Sequence, residues 1–226
     1  MGDRDLMSSL PLHLRLKKRA HRDTAIAQDL LVMAIYDVFP SSVIHGGTAI
    51  WRCYGGNRFS EDVDVYLWPP PEDESLGALS SALRAKGFEE MKLKRSPNAL
   101  YARFSYGGTE VRLEGVFKEV PGSVVRSFEL TDGARISVRT LTPDALLVEK
   151  VRAYMGRRKV RDLYDVFFLL SLAERGRGVR ASLGELSKGY APPPDEGLLR
   201  ALVISGSVPS ADDMMEAIRT WAGRST

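Results

Sequence analysis

The stretch HGGTAIWRCYGGNRFSEDVDV, residues 45–65, carries the strongest signal for the fold of this chain. It ends in an apolar run that contains two acids, Asp62 and Asp64. Because side chains two residues apart in a β-strand point to the same face, both carboxylates are expected on one face, with Val63 and Val65 on the other. Carboxylates that close repel each other unless a cation lies between them. The pattern therefore predicts a site for a hard divalent cation, Mg²⁺ or Mn²⁺.

Gly46, Gly47 and Thr48 begin the same stretch, between a predicted strand at residues 43–44 and a predicted helix. The N-terminus of a helix offers free backbone N–H groups and the positive end of the helix dipole, which suit phosphate. Glycines let the backbone approach closely, and the Thr48 hydroxyl would add a hydrogen bond. The turn is not a Walker A loop, because the GK[ST] element is missing.

Each half of this pattern has a simpler explanation when it is taken alone. A D-x-D tripeptide is also typical of an edge strand whose acids face water, and most glycine turns only reverse the chain. A phosphate-binding turn followed by a carboxylate pair is, however, the arrangement that phosphoryl transfer requires, with a metal bridging the phosphates to the protein. The order of the two halves therefore favours a nucleotide site.

A third carboxylate would complete a site for two metal ions. Glu114 is the candidate, on a predicted strand at residues 109–117 that could pair near the aspartate strand. Glu110 shares its face by the two-residue period, so the pattern does not separate the two acids. Either of them is also explained as a surface acid of a strand.

The rest of the chain predicts an α+β fold. Apolar spacing predicts a helix over residues 18–38 and a surface helix over residues 72–86. Strands are predicted at residues 43–44, 62–68, 88–93, 99–106, 109–117, 124–130 and 135–138. Gly107 and Gly108, between two of these strands, predict a hairpin. Helices predominate after residue 140, where Thr142 and Pro143 predict the start of a helix and GRRKV, residues 156–160, is a predicted loop. We therefore expect a small mixed sheet flanked by helices in residues 1–140, and a helical lobe in residues 141–226 that completes the active site.

Composition restricts the class of protein only broadly. The 226 residues contain 32 Lys and Arg against 29 Asp and Glu, a net charge of +3 that permits a polyanionic partner without requiring one. The single cysteine, Cys53, excludes an intramolecular disulfide. No run approaches the ~20 apolar residues of a membrane helix, and the N-terminal residues lack the apolar segment of a signal peptide. We therefore expect a cytoplasmic protein that does not bind a membrane.

The 45–65 stretch closely resembles the AbiEii/AbiGii toxin family of nucleotidyltransferases, within the polymerase-β-like nucleotidyltransferases. Asp62 follows Thr48 by fourteen positions, slightly long for the general signature of that superfamily. A second match is EKVRAYMGRRKVRDLYDVFFLL, residues 149–170, where the family has a helical lysine, a basic loop and R-D-x-x-D. The resemblance covers roughly residues 25–175. His45 is a departure, because the family often has lysine before the glycines, and we expect it to be an ordinary loop histidine.

The resemblance implies a nucleotidyltransferase fold and the transfer of NMP from a nucleoside triphosphate to an acceptor hydroxyl. It implies a toxin of a toxin–antitoxin or phage-defence pair, with RNA such as tRNA as acceptor and a cognate antitoxin as partner. A protein or a small molecule as acceptor, and an inactive binding module of the same fold, are the alternatives. The basic cluster at residues 152–161 would guide a polyanion, or is a solvated loop.

The resemblance also implies site roles, each beside a plainer explanation from the residue itself. Lys150 would bind phosphates, or extends its ammonium group to water. Arg58 and Ser60 would belong to the active site, although Arg58 also suits an ion pair with Glu61 or another acid. Asp162 would line the active site, or compensates the dipole at the start of its helix. Asp165 is expected to be structural.

Overall fold

The structure is a computed structural model that describes residues 11–223. Residues 1–10 lie outside the described residues. They include part of the N-terminal stretch in which the sequence predicts no signal peptide. The elements, in chain order, are α1 (Leu12–Arg15), α2 (Arg19–Val38), β1 (Val43–His45), α3 (Gly46–Tyr54), β2 (Asp62–Leu67), α4 (Asp73–Ala85), β3 (Phe88–Arg95), β4 (Ala99–Tyr106), β5 (Thr109–Phe117), β6 (Val124–Glu129), β7 (Arg135–Thr140), α5 (Pro143–Arg157), α6 (Val160–Leu169), α7 (Arg177–Gly189), a 3₁₀ turn (Glu196–Leu198), α8 (Leu199–Leu202) and α9 (Ala211–Gly223).

The strands form a seven-stranded mixed sheet with the order β3-β4-β5-β2-β1-β7-β6. β2 is parallel to β5 and β1 is parallel to β7, whereas the other neighbours are antiparallel. The hairpin between β4 and β5 turns at Gly107 and Gly108, both with positive φ, as two-residue hairpin turns require. The predicted α+β fold, a mixed sheet flanked by helices and followed by further helices, is confirmed.

The chain divides into two compact units. The first comprises Met1–Gly55 and Phe59–Thr140, and the second comprises Gly56–Arg58 and Leu141–Thr226. Residues 56–58 group with the helical unit because Arg58 forms a bridge with Val203 and the Asn57 carbonyl accepts a hydrogen bond from the Ile204 N–H.

The core of the first unit lies on one face of the sheet. Alternate residues of β2, Val63 and Val65, are fully buried there, as are Ala102 of β4 and Leu113 of β5. Helix α2 packs on β5 and on α4, and α4 packs on β3. Because strand side chains alternate between faces, the polar residues between these positions point away from the core.

The second unit contains the helices that the sequence predicts after residue 140. Thr142 caps α5 by accepting a hydrogen bond from the Ala145 N–H, and Pro143 is the first helical residue. The predicted loop GRRKV, residues 156–160, is shorter than expected, because only Arg158 and Lys159 lie outside α5 and α6. Gly156 lies within α5, where a single glycine costs only about 1 kcal/mol. Within residues 11–223, none of the helices is both long and apolar enough to cross a membrane.

Candidate active site

The predicted carboxylates lie side by side on the polar face of the first unit. Asp62 and Asp64 are half-buried, and they alternate along β2 with Val63 and Val65, which point into the core. β5 runs parallel to β2 in a register that places Glu114 directly beside Asp64. Two strands therefore bring three acids onto one face of the sheet.

The register also separates the two glutamates that the sequence left as alternatives. Glu110 is paired with Ser105 of β4, close to the hairpin, and it forms an ion pair with Arg103 at 3.3 Å. Glu114, by contrast, is the neighbour of Asp64. The acid that lies next to the aspartate pair is thus Glu114.

Gly46 brings the start of α3 against these carboxylates. Its φ is +69°, in the left-handed region that glycine adopts without strain, and a Cβ at this position would fall on the Asp64 carboxylate. No other residue type leaves room for Asp64 at this distance from the backbone. The glycine that the sequence associates with phosphate binding is therefore also the residue that lets Asp64 lie at the N-terminus of a helix.

The first turn of α3 provides backbone donors rather than the predicted side-chain donor. Gly46, Gly47 and Thr48 are its first three residues, all buried, and the first N–H groups of a helix have no acceptor within it. The Thr48 hydroxyl donates a hydrogen bond of 2.5 Å to the Asp62 carbonyl. Thr48 therefore ties α3 to β2, and its contribution to a phosphate site would come from its N–H.

Arg112 is a cation within the carboxylate group that the sequence reasoning missed. It lies beside Asp62 in the β2–β5 register, and its Nε is 2.7 Å from Asp62 Oδ1. Burial acts to lower the pKa of Arg112, but Asp62 and then Glu61 outweigh it, so that the pKa lies above its ordinary value. A signal was present in the sequence, because Arg112 precedes Glu114 by two residues and must share its face.

The acids fit a hard divalent cation by their chemistry and by the close approach at Gly46. Carboxylate oxygens are the ligands that Mg²⁺ and Mn²⁺ prefer. In the described part of the chain, no three Asp, Glu, His or Cys side chains are arranged to hold a metal ion. Asp62 is turned toward Arg112 instead. A metal held by Asp62, Asp64 and Glu114 would therefore require Asp62 to leave Arg112.

In the second unit, Arg58 and Lys150 share one buried acid. Arg58 donates from Nε and Nη2 to the two oxygens of Asp165 at 2.8 and 2.7 Å, and Lys150 Nζ lies 2.8 Å from Asp165 Oδ2. Burial acts to raise the pKa of Asp165, but Arg58 and Lys150 outweigh it and lower the pKa to about 2. Asp165 thus holds both cations, and the ion pair with another acid is the arrangement observed for Arg58.

Asp162, one turn earlier on α6, extends this buried cluster. It is fully buried and accepts two hydrogen bonds from Arg157, at 2.7 and 2.8 Å. Lys150 Nζ lies 3.6 Å from its Oδ1. Lys150 therefore lies between two aspartates of α6 rather than extending to water.

The remaining predicted positions are also defined. Ser60 is buried just before β2, where its carbonyl accepts a hydrogen bond from the Gln28 side chain at 2.9 Å. His45, expected in a loop, is the last residue of β1, and its ring stacks on Tyr66. In the basic cluster, Lys159 lies 3.6 Å from Asp195, so that part of its charge is neutralised within the protein.

The fold and the carboxylate face are those expected of a nucleotidyltransferase, and comparison with known proteins identifies the family. The family model described as "Nucleotidyl transferase AbiEii toxin, Type IV TA system" matches residues 29–191. The chain therefore belongs to the AbiEii nucleotidyltransferase toxin family.

Solved structures show the same fold. JHP933 from Helicobacter pylori is similar with a TM-score of 0.61 and 21% identity, over 88% of this chain and 90% of that chain. MenT4, a nucleotidyltransferase toxin from Mycobacterium tuberculosis H37Rv, is similar with a TM-score of 0.61 and 20% identity, over 99% of this chain and 89% of that chain. No curated protein sequence matches this chain significantly.

Proposed function

We propose that this nucleotidyltransferase is metal-dependent and transfers NMP from a nucleoside triphosphate to a hydroxyl of RNA, with tRNA as the leading acceptor. In this proposal it is the toxin of a toxin–antitoxin pair. The observation that supports the metal and nucleotide part of this proposal is the close approach of Gly46, the first residue of α3, to the Asp64 carboxylate. The helix start that we propose to bind phosphate and the carboxylate that we propose to bind metal are thus adjacent within one unit.

Each residue of the carboxylate face has a role in this reaction. Asp62, Asp64 and Glu114 would hold the metal, which when bound neutralises the carboxylates and links the triphosphate to the protein. The N–H groups of Gly46 and Gly47 would bind phosphate oxygens at the start of α3. A bond forms between the acceptor oxygen and the α-phosphorus, the phosphoanhydride bond between the α- and β-phosphates breaks so that pyrophosphate leaves, and the hydroxyl proton passes to water.

The roles of the second unit rest on the family pattern. We assign triphosphate binding to Lys150 and Arg58, and the activation or orientation of the acceptor to Asp162. Within that unit, Asp165 fixes Lys150 and Arg58 in place, so we assign it a positioning role. Ser60, next to the aspartate strand, belongs to the nucleotide site in the same pattern.

The experiment follows the label of an α-³²P nucleoside triphosphate. Purified protein is incubated with Mg²⁺, each of the four nucleotides and a mixture of RNA, protein and small-molecule fractions. We expect label in RNA, and in tRNA above other RNA, with Asp64→Ala as the inactive control. Label found only in protein or only in small molecules would contradict the RNA acceptor while leaving nucleotidyl transfer intact.

One observation favours a second candidate, a binding module without catalysis. Arg112 already neutralises Asp62, and a protein of this fold that never binds metal would keep such a pair. Titration of the protein with Mn²⁺ separates the two candidates. A wild-type protein that binds Mn²⁺ and nucleotide no better than Asp64→Ala, and transfers no label, would support the binding module.

A further inference from the structure

Beyond the carboxylates, the polar face of the sheet continues as a row of cations across β5, β4 and β3. On β5, Arg112 lies beside Asp62. Arg103 of β4 is opposite Arg112, and Lys92 of β3 is opposite Arg103. Residues that are directly opposite on neighbouring strands share a face. Three cations therefore extend from Asp62 toward the edge of the sheet.

A second row runs parallel to the first and carries an aromatic ring. Tyr101 of β4 is opposite Glu114, and Lys94 of β3 is opposite Tyr101. The Lys92 ammonium lies 5.5 Å from the centre of the Tyr101 ring. We name Lys92, Lys94, Tyr101 and Arg103 the cationic strip. The strip covers two neighbouring strands, about 4.8 Å apart. These are β4, which lies next to the strand of Glu114, and the edge strand β3.

The charges of the strip are available to a ligand. Lys94 is exposed and Lys92 is half-buried, and neither takes part in the ion pairs formed by the described residues. Arg103 has an acidic partner in Glu110, but both side chains are solvated, at 37% and 50% exposure. Such a pair is worth at most about 1 kcal/mol, so a phosphate can replace Glu110. The helices α2 and α4 pack against the other face.

We propose that the cationic strip binds the acceptor as a single strand of RNA, with phosphates on Lys92, Lys94 and Arg103 and a base stacked on Tyr101. Cations that follow a backbone, together with an aromatic platform, are the features that bind single strands. This inference rests on the proposed function. It adds to that proposal the surface that receives the acceptor.

The order of the strands places the cationic strip on the side of the carboxylates that is opposite α3, where the acceptor is expected. α3, which would bind the triphosphate, follows β1, and the strip lies on β3 and β4, with the carboxylates of β2 and β5 between them. In-line transfer requires the attacking hydroxyl and the leaving pyrophosphate on opposite sides of the α-phosphate. A strand that lies on the strip would present its terminal hydroxyl from the side away from α3.

The cationic strip is tested by the binding of a fluorescent single-stranded RNA of mixed sequence to the full chain. Fluorescence anisotropy measures the affinity over a range of salt concentrations. Lys92→Ala combined with Lys94→Ala should lower the slope of log affinity against log salt by about 1.4, at roughly 0.7 per phosphate contact. Tyr101→Ala should weaken binding about tenfold, and Tyr101→Phe should retain it, because the ring and not the hydroxyl stacks.

A matched control removes two cations on the opposite side of the sheet, at the end of α4. Arg84→Ala with Lys86→Ala changes the net charge by the same amount, and it should leave both the affinity and the salt slope nearly unchanged. Equal losses in the two double variants, or no measurable binding of RNA by the wild type, would overturn the proposal. Tighter binding of poly-glutamate than of RNA would also overturn it, in favour of an acidic protein segment.

Kinetics distinguish failure of the strip from failure of the proposed function. In the label-transfer assay, the strip variants should raise KM for RNA with little change in kcat or in KM for the nucleotide. If wild-type protein transfers no label, the proposed function fails, and the anisotropy result still decides whether the strip binds RNA. If transfer occurs with unchanged KM for RNA in the strip variants, only the strip is refuted.

Discussion

In the first unit, Asp62, Asp64 and Glu114 line a partly exposed face of the sheet, whereas in the second unit Asp162 and Asp165 are buried against cations. In the first group, Arg112 forms an ion pair with Asp62. The second is paired internally, with bidentate arginine contacts on both aspartates. Carboxylates on a partly exposed face can take up an ion from solution, whereas Asp165, buried between two cations, holds those cations in place. Mutation of Asp64 should therefore mainly affect activity, and mutation of Asp165 should mainly affect stability.

The largest expected effect is on activity, at Asp64. Asp64→Asn should reduce label transfer on the order of 10³-fold, the upper range for the loss of one electrostatic group in an active site. The melting temperature should change little, because Asn has nearly the same size and shape as Asp. Transfer rates and thermal unfolding by circular dichroism give the two readouts. Glu110→Gln is the control, because Glu110 lies on the same face of the sheet but forms an ion pair with Arg103, and this variant should retain transfer. A comparable loss in both variants would contradict the site.

The largest expected effect on stability is at Asp165. Asp165→Ala leaves Arg58 and Lys150 buried without their acid, and the loss of one partner from a buried ion pair costs about 3–5 kcal/mol. Urea denaturation measures this change in the free energy of unfolding. Asp212→Ala, at an exposed acid of α9, should change it by less than about 1 kcal/mol. If Asp165→Ala were as stable as wild type, the buried cluster would not be structural.

Gly46→Ala should affect both stability and activity, and Gly55→Ala is its matched control. Both glycines have left-handed backbones, with φ of +69° and +71°, but only at Gly46 would a Cβ meet the Asp64 carboxylate. Alanine at either position costs about 1–2 kcal/mol from the backbone alone. Gly46→Ala should also displace Asp64 and reduce label transfer by roughly 10–100-fold, less than the loss expected when the carboxylate itself is removed. Equal transfer in the two alanine variants would show that the close approach is not needed.

The sequence pattern predicted those features of the fold that depend on residues close together in the chain. The alternation of acids and valines in β2 gave the face of Asp62 and Asp64, and two consecutive glycines gave the hairpin between β4 and β5. Thr142 and Pro143 gave the start of α5. These signals act within a few residues, so a single sequence is enough to detect them.

Contacts between distant residues were out of reach. The choice of Glu114 over Glu110 depends on the register between β2 and β5, which the two-residue period does not fix. Arg58 and Asp165 are 107 positions apart, and the sequence indicated only that Arg58 would pair with some acid. The positive φ of Gly46 and its contact with Asp64 likewise require the strand and helix to be placed in space.

The stability that Asp165 contributes should depend on pH. Asp165 has a pKa lowered to about 2, because Arg58 and Lys150 outweigh the effect of burial. A carboxyl group with a lowered folded-state pKa adds stability above its unfolded pKa of about 4, and that stability is lost as pH falls toward the folded value. The stability difference between wild type and Asp165→Asn should therefore shrink between about pH 4 and pH 2. Urea midpoints at several pH values measure this difference, and a constant difference across that window would contradict it.

The smallest effect concerns Arg112, the one cation of the carboxylate face that contacts Asp62 in the described residues. Its side chain is 38% exposed, and exposed pairs contribute about 0.2–1 kcal/mol. Arg112→Gln should therefore free Asp62 for a metal ion and tighten Mn²⁺ binding by up to about fivefold. Electron paramagnetic resonance of unbound Mn²⁺ gives the affinity without any need for catalysis. Arg103→Gln, which removes a cation paired with Glu110 instead, should leave that affinity nearly unchanged. Weaker Mn²⁺ binding in Arg112→Gln would mean that Arg112 supports the metal site rather than competing for Asp62.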